Sequence, residues 1–414
     1  MTDVPQPNDR LATLDARRQL KMARNAHAYV RGSTEAFYKW IQSDKRIALP
    51  DGPPVWICGD CHIGNLGPIG HPAGDAVVEI RDLDQTVIGN PAYDVVRLAL
   101  SLAMAARSSD LPGVTTAHLT EHLIAGYEQA FDGDAPPEHI GELPDPIDMV
   151  MKRAVRRTWE QLSDESLDRA QRTIPIGRTF WPLDDEERAA LKAFVDDERL
   201  RKLVQALSSR PDDAKIRFLD AAFWVKGCSS LGLWRAALLV GIEHRSAKGK
   251  KRQGVALVDV KQAVEAIPPW AKAADHAHLA PADRVLTGAI RLAPALGGRM
   301  MSASLLGRSV YVRELLPQDL KVELDQITPE QGRSVAHYFG MVLGRAHGRQ
   351  LDPAARQRWR TEMVSHHTKD LDAPSWLWRA VVDLVGVHER AYLEHCRRYA
   401  LEASRADIAA EDAA

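Results

Sequence analysis

Apolar residues recur every three or four positions over most of the chain, and this spacing predicts a mainly helical protein. The part between residues 221 and 315 shows the short apolar runs of β-strands instead, and two further strands are expected at 55–57 and 76–81. The predicted helices cover 11–43, 93–108, 116–131, 149–170, 184–207, 281–292, 328–349, 354–365 and 374–403. The other predicted strands cover 221–225, 233–242, 254–260 and 310–315. The pattern therefore predicts an α+β protein, with a disordered tail from Ser404.

The composition is that of a globular chain, with 45% hydrophobic and 27% charged residues. A formal net charge of −2 gives no general attraction to nucleic acid or to an anionic membrane. Four cysteines in 414 residues do not suggest a disulfide framework, which fits a reducing compartment. The polar N-terminus lacks a secretion signal, and the longest apolar helix contains Arg97 and is too short to cross a bilayer. We therefore expect a cytoplasmic protein that binds neither nucleic acid nor membrane.

Polar side chains typical of a metal-dependent site follow the two early strands. The first strand leads into a turn that carries Asp60, His62 and Asn65 between two glycines, and the second ends at Asp82 and Asp84. Carboxylate and amide oxygens are ligands that suit Mg²⁺. We therefore predict that Asn65, Asp82 and Asp84 hold the metal. Asp60 and His62 are the predicted catalytic residues, with Asp60 orienting or deprotonating a hydroxyl.

The same turn allows other interpretations. Cys58-x-x-Cys61-His62 is the pattern of c-type haem attachment, and the two cysteines alone form a redox motif. Haem attachment normally needs export, and Asp60 between the sulfurs disfavours a thiolate. A zinc site needs further ligands, which Cys228 and Cys396 do not supply at paired spacing. The plainest alternative is a polar turn with buried cysteines.

A small-residue hairpin in the strand-rich part is suited to phosphate contact. Its glycines and serines let backbone N–H groups approach phosphate oxygens. The strand that ends at Lys261 follows it, and a glycine hairpin followed by a strand lysine is the phosphate-binding arrangement of a kinase small lobe. Arg31, just before a glycine, is a further phosphate or carboxylate contact. The predicted nucleotide-binding residues are Gly227, Ser229, Ser230, Gly232, Lys261 and Arg31.

The motif Gly59-Asp60-x-His62-x-x-Asn65, with Asp82 and Asp94 after it, resembles the catalytic segment of aminoglycoside phosphotransferase-like and choline-kinase-like enzymes. The whole chain resembles the bacterial DUF2252 family. The resemblance implies that Asp60 is the catalytic base, that Asn65 and Asp82 are metal ligands and that Asp94 braces the catalytic loop. It also implies ATP and Mg as cofactors and an unidentified hydroxyl compound as acceptor.

The order of these features is inverted, because kinases place the glycine hairpin and lysine before the catalytic loop. The predicted fold is therefore a circularly permuted, two-lobed protein-kinase-like fold, with a small, mostly antiparallel β lobe and a large helical lobe. The predicted parts are an N-terminal helical segment (1–50), the large lobe in two pieces (51–215 and 326–414) and a nucleotide-binding small lobe (216–325).

The predicted function is phosphoryl transfer from ATP to a hydroxyl group. A kinase lobe also needs a glutamate to pair with its lysine, and the predicted helix 281–292 contains none. Thr287 occupies the expected place, and Glu265 is a substitute. This departure keeps two alternatives open: a nucleotide-binding protein without catalysis, and a nucleotidyltransferase.

Overall fold

A computed structural model of the chain describes residues 4–43, 49–71, 75–108, 113–156, 173–206, 210, 214–227, 231–245, 251–271, 276–319, 328–365 and 373–412. The helices of this part are α1 (Arg10–Ala23), α2 (Ala26–Gly32), α3 (Thr34–Ile41), α4 (Ala92–Ser108), α5 (Gly113–Gln129), α6 (Asp145–Arg156), α7 (Asp185–Phe194), α8 (Glu198–Gln205), α9 (Pro281–Leu292), α10 (Pro294–Gly297), α11 (Pro329–Gly348), α12 (Pro353–Ser365) and α13 (Ser375–Asp412). The strands are β1 (Val55–Ile57), β2 (Leu66–Gly70), β3 (Ala76–Ile80), β4 (Val87–Gly89), β5 (Phe180–Trp181), β6 (Lys215–Trp224), β7 (Arg235–Arg245), β8 (Lys251–Gln262), β9 (Met300–Leu305) and β10 (Arg308–Glu314).

Six of the strands form one antiparallel sheet in the order β5-β6-β7-β8-β10-β9. Because side chains alternate along a strand, neighbouring positions of β8 point to opposite faces. Val258 and Val260 belong to an apolar core with α7, α8 and Leu14 of α1. Asp259 and Lys261 therefore lie on the opposite face of the sheet. On that face the strand register places them beside residues of β7 and β10.

A second core lies among the helices, chiefly α4, α5, α11 and the first part of α13. Helices α5 and α11 pack with their backbones almost in contact. A Cβ on Gly126 would lie 2.0 Å from a carbonyl oxygen of α11, and one on Gly340 would lie 2.1 Å from a carbonyl oxygen of α5. Glycine is therefore required at both positions, and this packing holds α11 close to α4.

Two short antiparallel pairs, β1 with β4 and β2 with β3, pack against the helical core. The turn between β1 and β2 carries the predicted catalytic residues, and the segment after β3 carries Asp82 and Asp84. Since β10 runs beside β8, the charged face of the large sheet turns toward this segment: Arg313 donates to the carbonyl of Arg81 at 3.2 Å. The predicted site residues therefore lie where the small pairs meet the large sheet.

The α+β prediction is confirmed, with more helix than strand in the described residues. Strand 55–57 and helix 281–292 have the predicted bounds. The stretch 11–43, predicted as one helix or two, is three helices, because Asn25 caps α2 by accepting the N–H of Ala28 and Ser33 separates α2 from α3. Predicted helix 184–207 is two helices, because Asp197 caps α8. The prediction of a disordered tail from Ser404 is wrong, since α13 continues to Asp412.

The two cores do not follow the predicted boundary at residue 215. Helices α7 and α8, placed by prediction in the large lobe, pack against the sheet. Helix α9, placed in the small lobe, contributes Val285 and Ala289 to the helical core. Ser229, Ser230 and residues 157–170 of the predicted helix 149–170 lie outside the described residues. Among the described helices, none has both the length and the hydropathy needed to cross a membrane.

Candidate functional site

A buried aspartate holds the turn after β1 in place. The carboxylate of Asp94, in the first turn of α4, accepts the backbone N–H groups of Cys58 at 2.6 Å and Gly59 at 3.0 Å. His347 of α11 contacts the same carboxylate through Nε2 at 3.2 Å, and its Nδ1 lies 2.9 Å from the hydroxyl of Tyr127. Gly59 has φ +76°, and a Cβ there would lie 2.1 Å from the carbonyl oxygen of Gln85. The backbone of the turn is therefore held by the Asp94 carboxylate of α4, which His347 of α11 contacts in turn.

Asp60 lies in this turn and forms an ion pair with Arg97 of α4. Arg97 donates from Nε at 3.0 Å and from Nη2 at 2.9 Å, and both bonds go to Oδ1 of Asp60. Asp60 is only 6% exposed. Burial raises the pKa of the Asp60 carboxyl above its usual value, although Arg97 acts in the opposite direction. Asn65 lies beside it, because its Nδ2 donates to the carbonyl of Asp60 at 2.9 Å.

Sequence reasoning did not assign Arg97 to the site. A signal was present, since Arg97 is the one charged residue within the apolar run 95–106. A buried arginine needs a counter-charge, so its position in that run already implied a buried acidic partner.

The other predicted catalytic residue, His62, is buried, and its carbonyl accepts the N–H of Asn65 at 2.8 Å.

Asp82 and Asp84 meet Lys261 of β8. The ammonium of Lys261 pairs with Oδ2 of Asp84 and lies 3.7 Å from Oδ1 of Asp82. The hydroxyl of Tyr311 donates to Oδ1 of Asp84 at 2.7 Å. The neighbouring Asp82 and Asp84 are thus brought together with Lys261, which is 177 residues from Asp84 along the chain. Glu265 is exposed, so the suggested Glu265 partner of Lys261 is corrected to Asp84.

The two carboxyl groups differ electrostatically. Burial raises the pKa of Asp84, and the charge of Asp82 raises it further. Burial would also raise the pKa of Asp82, but Lys261 and Arg313 outweigh it and lower that pKa below its usual value. The Asp82 side chain is 41% exposed and that of Asp84 is 15% exposed. Asp82 is therefore the more accessible carboxyl group of the pair and the one with the lower pKa.

A cluster of cations lies beside this pair on the same face of the sheet. Arg235 donates to both oxygens of Asp259, at 2.7 Å and 2.5 Å, and Arg313 donates to Oδ2 at 3.3 Å. Lys226 lies 4.2 Å from the centre of the Trp224 ring and has no hydrogen bond or ion pair among the described residues. Burial lowers the pKa of Lys226, and Arg235 lowers it further.

Arg313 and Arg81 are also close enough to lower the pKa of Lys226. Lys226, Arg235 and Arg313 thus act on Asp259, and Arg81 lies near Lys226; we call these four groups the cationic cluster. An excess of positive charge in a partly buried site favours an anionic ligand. Sequence reasoning missed the cluster, because its members come from two strands and two loops that only the fold brings together.

The remaining nucleotide-binding candidates lie in two different places: the hairpin after β6, and the turn that carries Asp60. Gly227 and Gly232 both have left-handed φ values, +103° and +105°, and they flank the undescribed residues 228–230. Arg31 lies on the other side, with its Cζ 3.1 Å from the position that a Cβ on Gly64 would take. Arg31 is therefore beside the turn that carries Asp60 rather than in the cationic cluster.

The two cysteines of the turn are free and fully buried. A hydrogen bond between the two thiols, together with burial, raises the pKa of Cys58 well above its usual value. The pKa of Cys61 is also raised. Reactive thiols need a lowered pKa and access to solvent, so this environment disfavours redox chemistry and haem attachment. Within the described ranges, no group of three His, Cys, Asp or Glu side chains is arranged to hold a metal ion.

A protein-family model described as an uncharacterized protein conserved in bacteria (DUF2252) matches residues 10–398. The chain belongs to the DUF2252 family. Comparison with curated proteins gives no match. Comparison with solved structures gives none either.

Proposed function

We propose that this DUF2252 protein is a kinase-like enzyme that transfers a phosphoryl group from ATP to a hydroxyl group, with Mg²⁺. The observation that carries the proposal is the contact of Lys261 with Asp82 and Asp84 beside the cationic cluster. Lys261 lies on the third of three long consecutive strands, after the Gly227–Gly232 hairpin. Protein kinases use the same order of glycine loop and strand lysine to hold ATP phosphates.

The residues near Asp82 fit a magnesium ion. Asp82 offers an exposed, ionised carboxylate, and the Nδ2 of Asn65 is used in the bond to Asp60, which leaves its Oδ1 to face a metal. Oxygen ligands of this kind, few in number, suit Mg²⁺ that also binds phosphate and water. We assign Asn65 and Asp82 as its ligands, with Asp84 as a further one. When bound, the ion would neutralise charge on the phosphates.

Asp60 suits the role of general base. Both bonds from Arg97 go to Oδ1, and the Thr34 hydroxyl also contacts the carboxylate; we assign to Oδ2 the proton of a substrate hydroxyl. A pKa raised above the usual carboxyl value increases proton affinity, which a base acting near neutral pH needs. Asp94 and His347 act as positioning residues, because they hold the backbone of the turn and touch no reacting atom.

The cationic cluster would hold the phosphate chain. Lys226 is available for this role, since Arg235 and Arg313 are already paired with Asp259. Phosphoryl transfer depends mainly on positioning and charge neutralisation, and these groups supply both. The two glycines with left-handed φ values would allow the hairpin backbone to approach the phosphates.

A nucleotide-binding protein without turnover is a second candidate, favoured by a specific observation. Asp60 is nearly inaccessible and is paired with a buried arginine, which is unusual for a base that must reach a substrate hydroxyl. In that case the phosphate contacts would be kept and transfer would be absent.

The proposal is tested by incubating the full chain with a bacterial metabolite extract, Mg²⁺ and ATP labelled at the α or γ phosphate. A γ label on a product supports the proposal, an α label indicates nucleotidyl transfer, and binding without label transfer indicates the second candidate. Asp60→Asn should abolish transfer but keep nucleotide binding. Asp132→Asn, an exposed carboxylate paired with Arg360, is the matched control and should remain active.

A further inference from the structure

A small basic pocket lies apart from the candidate active site, between the β2–β3 hairpin, α10 and α11. Its volume is about 320 Å³, and its polar lining is Glu79, Arg345, Arg349 and His71. Arg345 and Arg349 are one turn apart on α11. His347 lies between them in sequence and contacts Asp94 in the core, so α11 presents the two arginines on its other side. We propose that this pocket binds a phosphate group.

The first argument is the balance of charge. Among the described residues of the lining, Glu79 is the one carboxylate, and its Oε1 lies 4.0 Å from Nη1 of Arg349, at the limit of an ion pair. Its Oε2 also accepts the backbone N–H of Ala295 at 3.1 Å. One carboxylate that already caps α10 therefore faces two guanidinium groups, which repel each other at this spacing.

The second argument is an unused donor. The Nε of Arg345 is buried and has no hydrogen-bond partner within the part of the chain that the structure describes. Nη1 of Arg345 donates to the carbonyl of Glu138 at 3.3 Å, and Nε of Arg349 donates to the carbonyl of Arg345 at 3.3 Å. These contacts go to backbone carbonyls, so they neutralise the positive charge of neither Arg345 nor Arg349. A buried donor without a partner is unfavourable, and an anion in the pocket would relieve it.

The protonation behaviour of the lining agrees with this geometry. Burial lowers the pKa of Arg349 and the charge of Arg345 also lowers it, and together they outweigh the opposite effect of Glu79. Burial also raises the pKa of Glu79, although Arg349 partly offsets it. His71 contributes less, because its Nδ1 lies 3.3 Å from Asp75 and its side chain is 48% exposed. The pocket thus has an excess of positive charge and a weakened acid.

Phosphate is the ligand that fits these donors. A guanidinium presents a planar fork that matches two phosphate oxygens, and two guanidiniums match a doubly charged group. The volume lies near the lower end of ligand pockets, about 300–1,000 Å³. The ligand is therefore inorganic phosphate or a small phosphate ester rather than a nucleotide, and the site is independent of the proposed ATP site.

The test is calorimetric titration of the full chain with inorganic phosphate. The wild-type protein should show saturable binding, and the double variant Arg345→Gln/Arg349→Gln should bind about tenfold more weakly or not at all. Arg360→Gln, an exposed arginine on α12 paired with Asp132, is the matched control and should bind normally. Lys261→Met, in the candidate active site, should also bind phosphate normally.

A fourth variant distinguishes recognition of an anion from a structural role of the arginines. Glu79→Gln keeps an oxygen that can cap α10 but removes the competing negative charge, so phosphate should bind more tightly. The proposal is overturned if the wild type shows no saturable binding, or if the double arginine variant binds as the wild type does. It is equally overturned if Lys261→Met abolishes binding, since phosphate would then occupy the other site.

Discussion

Replacement of Lys261 by methionine removes the cation that lies between Asp82 and Asp84. In the wild-type protein the ammonium pairs with Asp84 and lies 3.7 Å from Asp82. Methionine keeps much of the aliphatic stem, so the packing of β8 changes little while the positive charge is lost. Two neighbouring carboxylates then face each other without this counter-charge.

The expected loss of stability follows from the exposure of each group. Removing one partner of a buried ion pair costs about 3–5 kcal/mol. Here Tyr311 still donates to Asp84, and the Asp82 side chain is 41% exposed, so solvent screens part of the repulsion. We therefore expect the free energy of unfolding at pH 7 to fall by about 2–3 kcal/mol.

The pH dependence of this loss has a definite sign. The pKa of Asp84 is already raised, and removal of Lys261 raises it further because Lys261 lowers it in the wild type. A carboxyl group with a raised folded-state pKa binds more protons in the folded state than in the unfolded state. The stability of the variant should therefore increase as the pH falls from 7 through that raised pKa toward the ordinary carboxyl value of about 4.

The assay is urea unfolding followed by tryptophan fluorescence, at pH 7 and pH 5, with and without Mg²⁺. Lys261→Met should recover part of its lost stability at pH 5, and Mg²⁺ at pH 7 should also stabilise it by binding the two carboxylates. Lys202→Met, whose side chain is 72% exposed, is the control and should unfold like the wild type. A variant that is as stable as this control at pH 7, or less stable at pH 5 than at pH 7, would refute the reasoning.

Three further predictions concern the scaffold of the site. Gly126→Ala places a Cβ 2.0 Å from a carbonyl oxygen of α11 and should reduce stability by about 2–3 kcal/mol in urea unfolding, whereas Gly386→Ala, in open space on α13, should not. Asp94→Asn removes one of the two oxygen acceptors that hold the backbone of the turn, and should lower the free energy of unfolding by about 1–3 kcal/mol. An unchanged midpoint of urea unfolding would show that these bonds to Asp94 are not needed for stability. Cys58 and Cys61 are fully buried, so in native protein they should react with a thiol reagent only as fast as the protein unfolds, and fast labelling would contradict their burial.

The sequence predicted best those elements whose pattern is local. Strand Val55–Ile57 is a short apolar run with a turn after it, and helix Pro281–Leu292 begins at a proline and keeps one apolar face. Boundaries were missed where a single polar side chain acts as a cap, as Asn25 and Asp197 do. Such residues are common in helices and loops alike, so the apolar spacing alone does not reveal them.

The candidate site was only partly predictable for a different reason. Asp60, Asn65 and Asp82 lie in recognisable turns after apolar strands. The partner of Lys261 is 177 residues away, and a search confined to the following helix could not find Asp84. The cationic cluster is formed by strand register, which brings Arg313 opposite Asp259. Such contacts depend on sheet order, which apolar spacing does not determine.

The most direct test of the account is a calorimetric titration of the full chain with ATP, in the presence and absence of Mg²⁺. We predict saturable binding that is strengthened by Mg²⁺ in the wild type, is much weaker in Lys261→Met, and loses its Mg²⁺ dependence in Asp82→Asn. Absence of ATP binding by the wild type, or equal binding by wild type and Lys261→Met, would contradict the proposal that these residues form a nucleotide site.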